Sequence, residues 1–338
     1  MKIKIYINIT FLLISLIVNA QDPVFTHFIN IPEVINPAFV GSGNALNAGL
    51  IHRRQWPEAN RRIDTQYAFA NNLITENVGL GINILNQNES FTNYNYLQIN
   101  GVFSYTAEIS YDWKFRFGLE GGYGRKDFNF QNLLLEDQID INNETINPVS
   151  IDPNYLINNN NINFFDFNSG FLFENDISWF GATIKHMNRP DISFIDSKNI
   201  PLDLFLSLHG GGFIELNNSP SFILPTDSSI LVTFNYMKQS FYNRLDIGAC
   251  LNMDNIALGM TLVTNPEGKA KNSHILTSVN PFLLYKANEF TFGYSYDINT
   301  SKFGQSQGIH EFSLTWKSNT PCRDCDKFVM KLKNMLNK

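Results

Sequence analysis

The chain has 338 residues, of which 43% are hydrophobic, 14% aromatic and 17% charged, with a net charge of -6. So mild an acidic balance leaves no electrostatic case for nucleic acid. A Phe-rich chain with few charges suits strands with an aromatic outer face better than a helical enzyme, and the length allows one large barrel or two ordinary domains.

Residues 1–20 read as a signal peptide. Lys2 and Lys4 form a basic start, an apolar run over 5–18 is broken by Asn8, Thr10 and Ser15, and Val18-Asn19-Ala20 precedes a cut ahead of Gln21. The run falls short of the roughly 20 apolar residues of a spanning helix. No later stretch spans as a helix, so membrane insertion requires a barrel. Residues 21–43 carry Pro23, Pro32 and Pro37 and lack clean alternation. They make neither a regular strand nor a regular helix and are expected to pack, as a plug, in or under the larger body that follows.

Strand signals recur over 44–52, 61–70, 78–86, 94–108, 113–125, 161–174, 177–187, 202–216, 229–238, 243–252, 255–264, 274–285, 289–297 and 310–317, about fourteen in all. Several alternate strictly. Trp113, Phe115, Phe117 and Leu119 oppose Lys114, Arg116, Gly118 and Glu120; Phe290, Phe292, Tyr294 and Tyr296 oppose Glu289, Thr291, Gly293, Ser295 and Asp297. A soluble sandwich would put the apolar faces in its core; a membrane barrel turns them to lipid and the polar faces to the lumen.

Connection lengths favour the barrel. Those after even strands are tight (109–112, 175–176, 253–254, 286–288), whereas those after odd strands are long (126–160, 188–201, 265–273, 298–309). The exceptions are 217–228, long, and 239–242, short. A sandwich has no reason to sort loops by parity; an outer-membrane barrel has short periplasmic turns and long external loops. Lys114, Arg116, Glu120, Lys185 and Asp246 are expected to face a wet or plugged lumen, since on a lipid face each would be costly. The fold expected is all-β: one transmembrane antiparallel barrel of about fourteen strands over 44–317, preceded by the segment 21–43 and followed by a periplasmic tail, 318–338. The long connection 126–160 is expected to fold partly over or into the pore. In 289–297 the aromatics should meet lipid, so a charge at Phe292 should impair insertion while one at Ser295 is tolerated better.

Chemistry is sparsely signalled. His209-Gly210-Gly211-Gly212 resembles an esterase oxyanion loop, but no G-x-S-x-G elbow accompanies it, and glycines inside a strand fit bending or close packing of a lumen element. The six His are scattered without metal-ligand spacing, and no acid–base pair stands out. His52, with Arg53 and Arg54 beside it, reads either as a partner of lumen or loop carboxylates or as a solvated basic cluster. Cys250 reads as a buried free thiol. Cys322 and Cys325 form a C-x-x-C in the tail, readable as a disulfide or as two free thiols. No catalytic, cofactor-binding or metal-binding residue is nominated.

Several stretches, in order, resemble the PorP/SprF family of Bacteroidetes outer-membrane proteins. They are Gln21-Asp22-Pro23-Val24-Phe25-Thr26, Ile35-Asn36-Pro37-Ala38-Phe39-Val40-Gly41, Arg54-Gln55-Trp56, Trp179-Phe180-Gly181-Ala182-Thr183-Ile184-Lys185-His186, Phe292-Gly293-Tyr294-Ser295-Tyr296-Asp297 and His310-Glu311-Phe312-Ser313-Leu314. The resemblance implies a non-enzymatic component of type IX secretion and gliding machinery in the outer membrane. Its implied partners are a secreted protein with a type IX C-terminal signal, such as a large adhesin, other secretion components and outer-membrane lipid. A channel for small solutes is the alternative. Read from the residues, Asn36-Pro37-Ala38 is a turn leading into the first strand, and Arg54-Gln55-Trp56 a first-loop anchor with the indole at the interface or on the N-terminal segment. Tyr294, Tyr296, Asp297, His310 and Glu311 complete the signature positions, all read as structural.

Overall fold

The computed structural model describes residues 22–42, 45–57, 62–128, 134–140, 143–147, 150–151, 161–195, 198–216, 224–225, 228–268, 275–300 and 308–318. The signal-peptide reading and the Cys322–Cys325 motif fall outside the described residues.

Fourteen antiparallel strands close into one barrel. They are β1 (Asn47–Gln55), β2 (Ile63–Leu73), β3 (Val78–Glu89), β4 (Tyr94–Glu108), β5 (Lys114–Asp127), β8 (Asn161–Glu174), β9 (Ser178–Lys185), β10 (Phe205–Glu215), β11 (Ser229–Gln239), β12 (Tyr242–Met253), β13 (Ile256–Thr264), β14 (Leu276–Ala287), β15 (Phe290–Asn299) and β16 (Ile309–Lys317). Two further short strands, β6 (Ile139–Asp140) and β7 (Thr145–Ile146), form a separate hairpin between β5 and β8. Each barrel strand pairs with its sequence neighbours in the barrel, and β1 pairs with β16 to close the ring. Closure satisfies every strand edge, which a wall in hydrocarbon requires.

Period-two alternation sorts the two faces as expected. Phe290, Phe292 and Tyr294 are 41%, 49% and 38% exposed on the outer wall, whereas Thr291, Ser295 and Asp297 are buried inside. Phe117 and Leu119 point out between Arg116 and Gly118, which point in. Strand ends differ from the sequence expectation mostly where strands run on through polar residues. β1 begins at Asn47 and continues through Arg53–Gln55; β3 runs to Glu89 and β15 to Asn299. Ladder partners on both sides hold these ends, for example Arg53 between Thr65 and Glu311, and no hydrophobic pattern marks them. Conversely, Met187 and Leu202 leave the ladder, because the chain turns through left-handed His186 (φ 61) and Arg189 (φ 44).

The two rims are unequal. Short connections (74–77, 109–113, 175–177, 254–255 and 288–289) lie at one rim; long ones (128–160, 186–204, 265–275 and 300–308) lie at the other. The connection 216–228 is long and 240–241 short, as expected, and 90–93 is short as well. Asp254 (φ 42) and Asn288 (φ 54) supply the left-handed residue of their tight turns, a conformation Asp and Asn tolerate. In the connection after β5, a turn at Glu136–Gln138 leads into the β6–β7 hairpin, Ser150 donates to Asp137, and the Phe128 ring meets that of Phe194 of the β9–β10 connection in a tilted contact, centroids 6.0 Å apart.

Inside the barrel, many inward residues pack on the N-terminal segment instead of facing water. Towards the short-turn rim, Leu172, Trp179, Phe213, Leu231, Cys250, Ala257, Phe282 and Leu284 form one apolar cluster with Phe28, Ile29, Ala38 and Phe39 of the N-terminal segment. A second cluster joins Phe25 and Ile31 to Ile51, Tyr67 and Phe69. Burying a side chain of this size stabilises by about 1.5–3 kcal/mol. Ser295 is itself fully buried. The tolerance expected for a charge there assumed solvated space, and the close packing around it leaves none.

Candidate functional site: the docked N-terminal segment

Residues 22–42 are too proline-rich for regular structure and fold as three short 3-10 turns, Thr26–Ile29, Pro32–Val34 and Pro37–Phe39. Each touches a different part of the inner wall. The sheet can neither extend to such a segment nor leave its amides bare, so inward side chains satisfy them.

The first turn sits on the seam. Arg53 of β1 bridges two carboxylates, Nη2 to Asp297 Oδ2 and Nη1 to Glu311 Oε2, both at 2.7 Å. Glu311 then accepts the backbone N–H of Thr26 (3.1 Å) and of His27 (2.6 Å), and the Thr26 hydroxyl donates to Asp297 at 3.0 Å. All five residues are buried. Burying charge this deeply is tolerable only with pairing and hydrogen bonds of this completeness. Arg244 and Asp246 of β12 pair nearby at 2.7 Å.

The third turn sits on the opposite wall. Asn36 caps it, its Oδ1 accepting the Ala38 N–H at 2.8 Å, while its Nδ2 donates to the Phe171 carbonyl at 2.9 Å and reaches His209 Nε2 at 3.1 Å. That contact makes Nε2 the acceptor, so His209 Nδ1 donates to Ser207 Oγ at 3.2 Å and Ser207 donates to Asn235 at 2.8 Å. Three glycines make room. A Cβ on Gly118 would overlap the Ala38 nitrogen, one on Gly170 would overlap Asn36 Oδ1, and one on Gly181 would lie 2.6 Å from His209 Nε2. Gly211 lies under the Trp179 ring in the same way. The His209-Gly-Gly-Gly stretch is thus a docking and packing element, with Ser207 and His209 both buried beneath Asn36.

The start of the segment is tied near the long-loop rim. His186 lies between two carboxylates, Nε2 to Asp22 at 2.9 Å and Nδ1 to Asp166 at 2.8 Å. Burial disfavours its charge, but Asp22 and Asp166 outweigh that and raise its pKa to about 9. Asp22 is pushed up by burial yet held below the usual carboxylate range by His186. Gln98 and Tyr96 extend the chain of hydrogen bonds from Asp166, and Lys126 lies over the Tyr96 ring at 5.0 Å. At the other end, Val40 accepts from Ser104, and Gly41 (φ 74) bends the chain against Gly79 just before β1. Glu33 accepts from Asn47 and Asn71, and Lys185 donates to the Val34 carbonyl at 3.3 Å. The segment therefore contacts inward residues from one rim of the barrel to the other.

The signature residues divide by strand parity. Asp297 and Glu311 face in and meet at Arg53. Tyr294 and His310 face out, with the Tyr294 hydroxyl 3.0 Å from His310 Nδ1. Arg54 also faces out and pairs with Asp64 at 2.7 Å. The Tyr296 ring packs tilted against that of His310, centroids 4.9 Å apart. Gln55 ends β1 and Trp56 follows it in a left-handed conformation (φ 52). The turn at Asn36-Pro37-Ala38 exists, but it docks on β5, β8 and β9 instead of entering the first strand directly. Of the inward charges expected, Arg116 pairs with Glu174, and Glu120 accepts from Asn83 and Asn168. Of the two readings of the basic cluster His52, Arg53 and Arg54, Arg53 takes the first and pairs with lumen carboxylates. Asp22 was marked only within a family-like stretch, and Asp166, which carries no local signal, was not singled out. Among the described residues no group of three His, Cys, Asp or Glu side chains is placed to hold a metal.

A closed, even-stranded antiparallel sheet with an apolar outer wall defines an outer-membrane β-barrel. The chain belongs to the PorP/SprF family of type IX secretion system membrane proteins, whose model matches residues 17–316. No curated protein matches it. Among solved structures it is similar to the toluene transporter TodX of Pseudomonas putida (7% identity, 89% of this chain and 95% of that one, TM-score 0.47). It is also similar to a FadL homologue of Pseudomonas aeruginosa (8%, 83% and 92%, 0.44) and to Omp33 of Acinetobacter baumannii (6%, 82% and 100%, 0.41).

Proposed function

We propose that this protein is a non-enzymatic component of the type IX secretion and gliding machinery that binds a secreted, adhesin-like partner for export or attachment at the cell surface. The partner carries a type IX C-terminal signal, and recognition uses the long-loop rim. The observation that supports this reading over a solute channel is the occupied lumen. Apolar clusters and buried ion pairs tie residues 22–42 to strands all round the wall, and a solute path would have to break them. The ordered contact between the connections after β5 and β9 supplies a formed surface at the long-loop rim.

The test is deletion of the gene, followed by two assays in the same strain: surface display of proteins bearing the type IX C-terminal signal, and uptake of small solutes. Lost display with unchanged uptake is expected. Unchanged display with lost uptake would sink the proposal in favour of the channel.

A further inference from the structure

We propose that the outer wall at the long-loop rim carries a binding site for the phosphate of a membrane-lipid headgroup, formed by Arg54 and Arg62 around Asp64. Arg54 Nε lies 2.7 Å from Asp64 Oδ1 and Arg62 Nε lies 2.8 Å from Asp64 Oδ2. One carboxylate thus takes the inner nitrogen of both guanidinium groups. Their outer nitrogens have no other partner among the described residues, and the side chains are 43% and 47% exposed. The carboxylate is only 13% exposed, sits behind the two cations and is approached by His52 at 3.6 Å. Two guanidinium groups held at a fixed separation match phosphate oxygens bidentately, and anchoring them beforehand lowers the ordering cost of binding. Two positive charges against one negative leave the fork cationic.

Its position specifies a lipid. Arg54 points away from the lumen, since its neighbour Arg53 is buried inside. On the same face, four residues back, is Leu50, 46% exposed and in register with Ala68 and Leu314. Next to the fork, His310 is the register partner of Arg54 and carries Tyr294 and Tyr296 at its ring. Aromatic rings at the edge of an apolar band mark the headgroup level. The rims also differ in sign. Among the described strand residues, the outward Arg and Lys are Arg54, Arg125 and Lys238, all near the long-loop rim. The short-turn rim instead presents Tyr105, Tyr285 and Phe290 outward. Asp127 engages Arg125 through both Nε and Nη2, and both Glu267 oxygens hold Lys238. The fork alone among the three pairs two guanidinium groups on a single carboxylate. Basic residues at this depth draw anionic headgroups.

The test extracts the full-length protein into phosphatidylcholine-containing micelles, adds phosphatidic acid as the phosphate-monoester probe, and reads retained lipid by native mass spectrometry. The wild type should retain one phosphatidic acid in preference to phosphatidylcholine. The pair Arg54→Gln and Arg62→Gln should lower that retention about thirtyfold and Arg62→Gln alone about fivefold, from the usual contribution of a basic residue near an anionic surface. Arg125→Gln should leave it unchanged. Heat-modifiable gel migration reports folding. If the double variant does not fold, Arg62→Gln decides, because Arg62 lies before the first residue of β2. Equal retention by wild type and the folded fork variant overturns the proposal, as does equal loss in Arg125→Gln, which would indicate diffuse charge. Competition by inorganic phosphate as effective as that by the lipid would mean a soluble-anion site and would overturn the lipid assignment.

Discussion

Arg53 and Glu311 are directly opposite one another across the seam between the first and last strands, joined at 2.7 Å, and the same carboxylate accepts the backbone of Thr26 and His27. Ring closure and docking of the N-terminal segment therefore share one buried group. Glu311→Ala leaves Arg53 with one partner fewer and removes the acceptor of two buried amides. Breaking such a pair from one side costs about 3–5 kcal/mol. Urea unfolding in detergent micelles should show that loss, with Glu311→Gln milder; a change below about 1 kcal/mol would contradict the role assigned to the seam.

Docking of the third turn depends on the absence of a side chain at Gly118, where a Cβ would meet backbone and not a movable group. Gly118→Ala should displace residues 36–38 while the ladder persists, at a cost of about 1–3 kcal/mol for overpacking. The expected signature is faster protease cleavage within 22–42 and new conductance in planar bilayers, with heat-modifiable migration retained. Conductance equal to that of the wild type would show that the segment is not what closes the lumen.

The Asp22–His186–Asp166 contact has a defined pH dependence. The His186 pKa is raised in the folded state, so the contact's contribution is fully present below the ordinary histidine value of 6.5 and is lost as pH rises through about 9. Asp22 is held below its ordinary value and stays ionised across this window, with Lys126 and Lys185 the other charges near it. Hydrogen exchange of residues 22–31 should accelerate between pH 7 and pH 10 beyond the intrinsic chemical rate. His186→Gln should abolish that excess, and an unchanged excess in the variant would assign it elsewhere.

Outward and inward positions of β15 should respond differently to charge. Phe292→Lys places an ammonium among lipid-facing side chains, a cost that reaches about 2–4 kcal/mol at the bilayer midplane and falls towards the rims, and should lower the folded fraction in vesicle-insertion assays. Ser295→Lys should let the wall insert yet expel the segment, because Ser295 is buried inside. Equal insertion defects in both variants would argue against the assigned orientation.

Period-two patterning makes the wall legible in the sequence: residues such as Phe292 and Ser295 must fall on opposite faces, and only a barrel can take the apolar face to lipid. Strand ends were less legible. Arg53, Arg54 and Gln55 look like loop by composition, and only pairing with β2 and β16 holds them extended. The docking site was legible in fragments, as Asn36-Pro37-Ala38, His209 and Glu311, without any sign that they converge.

The sequence by itself determined the strands, their inner and outer faces and the unequal rims, because these follow from local periodicity and spacing. It also left residues 22–42 as a proline-punctuated segment that needed something to pack on. Only the tertiary structure decided where that segment goes and what satisfies it. Glu311 is 284 positions from His27 and Asp297 is 271 from Thr26, and groups so distant in sequence meet only once the ring has closed.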